Sequence, residues 1–425
     1  MDLSESRTQG IMKSLGPSLL WAGAAIGVSH LVQSTRAGAG YEFALVWAVI
    51  LANLLKYPFF EFGPRYAAAT GESLLAGYKR LGKVAFGIYI VITITTMFTI
   101  IAAVTIVTAS LVAGVFKPVV ELSPVTWSAI LLVICAVILV LGQYSVLDGL
   151  TKFIIVALSI STVVAVVAAV GHGSSARPDF IPPAIMTKAG IAFIIALMGW
   201  MPSPVELSVW TSIWTLERKK QTGHTPKLRE ALFDFNLAYF ITAFLAICFV
   251  ILGAMVMYGT GEQFSRKGTV FAAQFISLYT QTLGAWSYPV IVITAIATMF
   301  STTLTCTDAY SRVLKRSTEL IVPAADKWAD NKRLYWVWLV VVIVGGVLLI
   351  TLLKRSMTFM IDLATTLSFL TAPVLAGINY WLVTSRHMPK EAVPPMWLRA
   401  LSILGISFLT GFGIIYIWSN FFDGI

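Results

Sequence analysis

Two short segments of the sequence combine helix-breaking residues with side chains that can bind a cation. The stretch Met201–Glu206 contains two prolines two residues apart, and each proline removes a backbone donor and clashes with the preceding turn. The stretch Gly27–His30 is a weaker break, made by glycine and serine within an apolar run. Broken helices expose carbonyl and amide groups that need polar partners. We therefore predict a substrate site between the two segments, formed by Gly27, His30, Met201, Ser203 and Glu206.

Three of these side chains are candidate metal ligands, namely His30, Met201 and Glu206. Imidazole and thioether groups suit transition metals, and a carboxylate inside an apolar run is costly unless it serves a function. Each side chain also has an ordinary interpretation. His30 can be a hydrogen-bonded packing residue, and Met201 can belong to the core. Glu206 can form a structural pair with Arg36 or His30. Arg36 itself can form a salt bridge, close a gate or contact an anionic substrate group.

A second group of oxygen-bearing side chains lies in a later apolar run. Ser301, Thr302 and Thr305, followed by Asp308, run along about two helical turns. Their hydroxyls are candidate ligands for a sodium ion, together with carbonyls of the broken first helix. The alternative is that they donate to carbonyls of their own helix, as Ser and Thr commonly do in membrane helices.

The composition of the chain indicates where these segments must lie. It is 58% hydrophobic and 12% charged, with a mean hydropathy of +0.84, which excludes a soluble enzyme of ordinary composition. A helix needs about 20 apolar residues to cross a hydrocarbon core of about 30 Å. We predict an all-α polytopic protein of the lipid bilayer with eleven spans, at 17–38, 42–66, 86–116, 125–143, 150–171, 188–215, 231–258, 285–313, 334–353, 357–384 and 397–421.

The distribution of basic residues explains the net charge of +10. Lys and Arg are concentrated in the loops on one side of the predicted spans, which is the pattern of cytoplasmic loops. The basic excess is therefore a topology signal, and no nucleic-acid partner is predicted. We expect the inner (plasma) membrane, with the N-terminus in the cytoplasm and the C-terminus outside.

Two other sequence patterns are not interpreted as functional sites. The stretch Gly77–Lys83 has the glycine and lysine spacing of a phosphate-binding loop, but Val84 replaces the Ser or Thr that would hold magnesium, and we predict no nucleotide partner. Cys135, Cys248 and Cys306 lie in apolar runs without metal-ligand spacing and are predicted to be packing residues. No resident cofactor is expected, only a transported divalent cation or a coupling sodium ion.

Interrupted helices at corresponding positions of two halves indicate a secondary transporter built from inverted repeats. The stretch from Gly16 to Ala39 and the run Leu45–Arg65 resemble the opening helices of the NRAMP (natural resistance-associated macrophage protein) divalent-metal transporters. Residues 201–202, 233–240 and 301–310 extend the resemblance over most of the chain. It implies a LeuT-type fold in one domain, 1–425, with five-helix repeats at 17–171 and 188–384 and an additional helix at 397–421.

The sequence departs from this family at the residues that bind metal. The family motif Asp-Pro-Gly-Asn of the first helix is replaced by Gly27-Val-Ser-His30, so both oxygen ligands are lost. The sixth-helix motif Met-Pro-His keeps its methionine as Met201, but Ser203 replaces the histidine. The family also carries acidic residues in its third helix for a proton route, whereas residues 86–116 contain no charge. The usual proton coupling is therefore not expected.

Three functions remain open from the sequence. The first is an NRAMP-like carrier of a small cation, in which a divalent-metal site is rebuilt around His30, Met201 and Glu206. The second is a sodium-coupled symporter of a small polar organic solute, with sodium near Ser301 and Thr302. The third is a transporter-like sensor that binds without transport. None of the three is an enzyme.

Overall fold

The computed structural model of the protein describes residues 14–141, 143–177, 179–322, 332–353 and 355–421. Within these ranges the chain forms helices and no strand, so the predicted all-α class is confirmed. In chain order the α-helices are α1 (Pro17–Ala25), α2 (Thr35–Tyr41), α3 (Val46–Thr70), α4 (Leu74–Leu81), α5 (Lys83–Phe116), α6 (Pro124–Leu141), α7 (Gln143–His172), α8 (Lys188–Gly199), α9 (Ser208–Thr222), α10 (Leu228–Val256), α11 (Gly268–Leu283), α12 (Tyr288–Ile321), α13 (Lys332–Leu353), α14 (Met357–Thr384) and α15 (Met396–Phe421).

Eight helices in the described ranges are long and apolar enough to cross a membrane, namely α5, α6, α7, α10, α12, α13, α14 and α15. The other three predicted spans are not among these eight helices, and the structure or the sequence shows why in each case. The first is divided between α1 and α2, and the sixth between α8 and α9. The second, α3, carries Lys56, Glu61 and Arg65 within its apolar sequence. The prediction of a polytopic membrane protein is confirmed.

The helix bounds agree with the predicted spans most closely for α14 and differ most where a helix continues beyond its apolar run. For example, α7 begins at Gln143 instead of residue 150, and α12 continues to Ile321 instead of residue 313. The added turns are polar, so hydropathy alone does not include them. The predicted division into two repeats stays a prediction, and the predicted outside location of residues after 421 lies beyond the described residues.

The start of α1 is held by a carboxylate from another helix. Asp234 of α10 accepts hydrogen bonds from the backbone nitrogens of Gly16 and Ser18, at 3.0 and 2.9 Å. The first turn of a helix has unpaired N–H groups and a positive dipole end, and a carboxylate satisfies both. This contact fixes α1 against α10 before the chain reaches its first break.

The two interrupted spans lie inside the helix bundle. Helix α1 packs against α7, α10 and α12, and its Leu20 and Trp21 are fully buried. Helix α8 packs against α14, and its residues from Ile194 to Gly199 are buried. Irregular backbone is tolerated at membrane depth when protein surrounds it, because lipid offers no hydrogen-bond partner. The bundle therefore supplies the environment that both breaks require.

Candidate functional site

The break in the first span is a short irregular turn followed by a π-helix. Helix α1 ends at Ala25, Gly27 lies outside both the helical and the extended backbone regions with φ −145° and ψ −118°, and residues Val28–Ser34 wind as a π-helix into α2. A Cβ atom added to Gly27 would lie 2.5 Å from the hydroxyl oxygen of Thr302 on α12. Only glycine permits the chain to pass this close to Thr302. Glycine at position 27 therefore serves the packing against α12 as well as the irregular backbone of the break.

His30 lies in this π-helix and is fully buried. Its Nε2 is 2.8 Å from the carbonyl oxygen of Thr242 on α10, and its Nδ1 is 2.7 Å from the hydroxyl of Ser29. Nε2 faces a carbonyl and therefore carries the proton that it donates to Thr242, while Nδ1 lies beside the hydroxyl of Ser29, which itself donates to the carbonyl of Ala25, so both nitrogens are engaged. His30 therefore joins the first break to α10 in this structure, and a metal ion would have to displace one of these bonds.

The break in the sixth span occupies residues 200–204. Helix α8 ends at Gly199, the peptide bond between Met201 and Pro202 is cis, and a 3-10 turn, Val205–Leu207, leads into α9. The Nζ atom of Lys56 on α3 lies against this break, 2.6 Å from the carbonyl oxygen of Met198 and 2.9 Å from that of Gly199. The carbonyl of Met198 loses its helical donor at Pro202 and instead accepts from Lys56 and, at 3.3 Å, from the backbone nitrogen of Met201.

Helix α1 and the sixth break are joined by a direct side-chain contact. The indole nitrogen of Trp21 on α1 donates to the hydroxyl of Ser203 at 3.2 Å. On the other side of the sixth break, the indole of Trp200 donates to the hydroxyl of Ser368 on α14 at 2.8 Å. Met201 lies between these two anchors along the chain and is fully buried. The structure therefore holds the sixth break between α1 and α14, and the predicted substrate site between the two breaks stays a prediction.

Glu206 follows the sixth break and faces two other helices. Its carboxylate accepts a hydrogen bond from the hydroxyl of Thr96 on α5 at 2.7 Å and another from the hydroxyl of Tyr310 on α12. The residue is 3% exposed. Among the described residues no Lys, Arg or His forms an ion pair with it. The two hydroxyls orient the carboxylate without neutralising its charge.

In this structure Glu206 pairs with neither Arg36 nor His30. Arg36 instead forms a salt bridge with Asp362 on α14, with 2.8 Å between Nη1 and Oδ1, and its guanidinium also donates to Gln33. This pair joins the end of the first span to the start of the tenth. The salt-bridge interpretation of Arg36 thus matches the geometry, and its role as a gate stays a prediction.

Two of the three predicted metal ligands, His30 and Glu206, make their hydrogen bonds in different directions. His30 faces α10, whereas Glu206 faces α5 and α12. Groups of three or more His, Cys, Asp or Glu side chains suited to a metal ion are absent from the part of the chain that the structure describes. A divalent ion at these residues would therefore depend on Met201 and on backbone oxygens for much of its coordination.

The predicted sodium ligands lie where α12 meets the first break. Thr302 donates to the carbonyl of Gly23 at 2.9 Å and also contacts the carbonyl of Thr298 in its own helix. Thr305 is fully buried, and within the described ranges its hydroxyl has no hydrogen-bond partner. One predicted hydroxyl thus touches the first span, while another is left without a partner.

Sequence reasoning missed Lys56, Thr96 and Tyr310 as members of this region. Lys56 carried a usable signal, because a lysine within the apolar run of α3 is an intramembrane charge and such charges mark functional sites. Thr96 and Tyr310 carried none, because each lies about one hundred residues or more from Glu206 in the chain and threonine and tyrosine are ordinary residues in membrane helices.

Solved structures with the same fold come from several transporters. A variant of the manganese transporter of Eremococcus coleocola superposes with a TM-score of 0.73 at 14% identity, over 100% of this chain and 90% of that one. MhsT in complex with L-phenylalanine gives a TM-score of 0.59 at 14% identity, over 95% and 98% of the two chains. Mhp1, a nucleobase-cation-symport-1 family transporter, gives 0.59 at 15% identity, over 95% and 90%. The predicted LeuT-type fold is confirmed.

Sequence comparison identifies relatives over nearly the whole chain. An uncharacterized protein of Pasteurella multocida (strain Pm70) is 36% identical over 408 residues, which cover 95% of this chain and 92% of the relative. The model of the Nramp family, described as natural resistance-associated macrophage protein-like, matches residues 18–419. The predictions of a membrane transporter and not an enzyme are confirmed by this match. With its two interrupted spans and its LeuT-type fold, the chain belongs to the Nramp family.

Proposed function

We propose that this protein is a secondary transporter of a small cation and that the carboxylate of Glu206 provides the charge that binds it. One observation carries the proposal. Glu206 is buried beside the sixth break, is oriented by two hydroxyls, and has no basic partner among the described residues. A carboxylate in a medium of low dielectric constant is costly unless a cation compensates its charge. A transported cation would supply that compensation when it binds.

The other members of the proposed site are the backbone from Gly27 to His30, the thioether of Met201 and the hydroxyl of Ser203. Half-helix ends and unwound carbonyls bind ions in transporters with interrupted helices. The thioether adds a preference for a soft transition metal over calcium or magnesium. Manganese is the first ion to test, because the similar Eremococcus coleocola proteins are manganese transporters.

Uptake into proteoliposomes that contain the full chain tests this proposal. We expect a small cation, with Mn²⁺ measured first and Mg²⁺ and Na⁺ alongside it, to enter faster than into protein-free liposomes and to show saturation. Saturation follows because the number of binding sites is limited. Uptake of an amino acid only in the presence of Na⁺, with no uptake of any cation alone, would contradict the cation carrier and indicate a sodium-coupled symporter. Ligand binding without any uptake would support the sensor.

We also expect cation uptake to occur without stoichiometric proton entry. The reason is that α5 carries no charged residue from Phe86 to Phe116 and that Ser203 replaces the family's histidine. A pH-sensitive dye inside the same proteoliposomes would record this. Acidification of the lumen that grows in proportion to cation uptake would contradict the expectation.

A sodium-coupled symporter is the second candidate, and one observation favours it. The hydroxyl of Thr305 is buried without a partner in the described ranges, and Thr302 on α12 donates to the carbonyl of Gly23, which lies in α1 shortly before the first break. Hydroxyl and carbonyl oxygens are the ligands that sodium uses at interrupted helices. A Thr305→Val variant would then lose sodium dependence, whereas a purely structural threonine would leave it unchanged.

A further inference from the structure

Lys56 is buried within the helix bundle, where a charge is expensive. It lies in the middle of α3, and its side chain has no exposed surface. Its Nζ atom lies 2.6 Å from the carbonyl oxygen of Met198, 2.9 Å from that of Gly199 and 3.4 Å from that of Ser203. The nitrogen thus faces three backbone oxygens of the sixth break.

The sequence of the break explains why these oxygens are available. In a continuous α-helix the carbonyl of Met198 would accept from the nitrogen of residue 202, but Pro202 has no N–H group. The carbonyl instead accepts a long bond of 3.3 Å from the nitrogen of Met201 and keeps a lone pair for Lys56. The carbonyl of Gly199 ends α8, and the last carbonyls of a helix have no partner within it. The same end of the helix carries the negative pole of its dipole. The break therefore creates a cluster of oxygens that attracts a cation.

The contacts of Lys56 differ from those of the other charges on α3. Glu61 and Arg65, one turn apart, form a buried salt bridge with two hydrogen bonds of 2.7 and 2.6 Å. Lys56 has no carboxylate within ion-pair distance in the described part of the chain. Its partners are carbonyl oxygens only, and an ammonium group has three N–H donors and no acceptor. Three donors face three oxygens.

We propose that Lys56 is a tethered cation that fills a carbonyl site at the sixth break, where a transporter without this lysine would bind a monovalent ion such as sodium. Unwound carbonyls at interrupted helices are the groups that coordinate such ions. The ammonium supplies both the charge and the donors, so the break needs no free ion for its integrity. This site is separate from the carboxylate of Glu206 and does not depend on which solute is carried.

The same geometry argues against Lys56 as a contact for an anionic solute. All three N–H donors are directed at backbone oxygens, so none remains for a carboxylate. A solute that reached Lys56 would have to displace a carbonyl and leave that carbonyl unpaired in the bundle, at a cost in free energy. The structure therefore assigns Lys56 to the backbone of the break.

Thermal unfolding of the purified full chain tests the proposal through chemical rescue. The wild-type protein sets the baseline response to methylammonium and tetramethylammonium chloride at equal ionic strength. A Lys56→Ala variant should melt lower, and methylammonium should raise its melting temperature by roughly 3 °C or more, because it restores a cation with three N–H donors. Tetramethylammonium, which has the charge but no N–H group, should not raise the melting temperature of this variant.

Two results would overturn the proposal that Lys56 is a tethered cation. One is a folded Lys56→Ala variant that melts at the wild-type temperature, because the ammonium would then not stabilise the break. The other is a folded Lys56→Ala variant that responds to methylammonium no more than the wild type does. If that variant does not fold, Lys56→Gln keeps most of the side-chain length, and its melting temperature should rise in sodium over choline by more than that of the wild type. An equal rise in both proteins would refute the proposal. Because each result is a difference between the variant and the wild type, sodium that binds at Glu206 or Thr305 affects both proteins alike, and the test is independent of the proposed function.

Discussion

Replacing Glu206 with Gln should lower the affinity for the transported cation by about tenfold or more while the protein remains folded. The amide has nearly the shape of the carboxylate but no charge. Two unit charges about 4 Å apart interact by roughly 4 kcal/mol at the effective dielectric constant of a partly polar site, and about 1.4 kcal/mol corresponds to a factor of ten. Cation-dependent shifts of the melting temperature, titrated with Mn²⁺ and Na⁺, would measure the loss.

The hydroxyls that orient Glu206 provide graded controls. Thr96→Val removes one donor and should weaken cation binding less than Glu206→Gln does, because the charge remains. Thr95→Val is the matched control, because Thr95 lies on the exposed side of α5 and donates only to its own helix. Cation affinity that is the same in wild type and in folded Glu206→Gln would place the binding charge elsewhere.

Replacing Gly199 with Ala should destabilise the protein by about 3 kcal/mol or more, because small-to-large changes in a packed interior force the backbone to shift. A Cβ atom at Gly199 would lie 2.0 Å from the backbone carbonyl oxygen of Thr365 on α14. A backbone atom cannot move aside as the end of a flexible side chain can. The substitution would therefore separate α8 from α14 and displace a carbonyl that Lys56 contacts.

Gly377→Ala is the control for this prediction. Gly377 lies within α14 itself, and a Cβ atom there meets nothing within 4 Å. Alanine in a helix interior is more favourable than glycine by roughly 0.5–1 kcal/mol, so this change should be neutral or slightly stabilising. Thermal unfolding of both variants would make the comparison. Equal melting temperatures for Gly199→Ala and the wild type would mean that α8 and α14 do not approach as closely as described.

The sequence was sufficient for the features that depend on local chemistry. Apolar runs set the spans, because lipid accepts a helix only when its side chains are apolar and its backbone bonds are internal. The prolines at 202 and 204 required a break, since they lack N–H groups. Gly27 and the polar residues after it predicted the partner break. The Nramp resemblance was likewise carried by local motifs, and the family match over residues 18–419 confirms it.

Only the tertiary structure decided which side chains serve those breaks. Glu206 is bound by Thr96 and Tyr310, and Arg36 pairs with Asp362, although each partner lies far away in the chain. The hydropathy of a segment records how apolar it is but not which helix faces it, so such pairings follow from the packing of the bundle. Lys56 shows the difference most clearly. Its position within an apolar run predicts a costly buried charge, but only the fold brings it to the carbonyls at the end of α8.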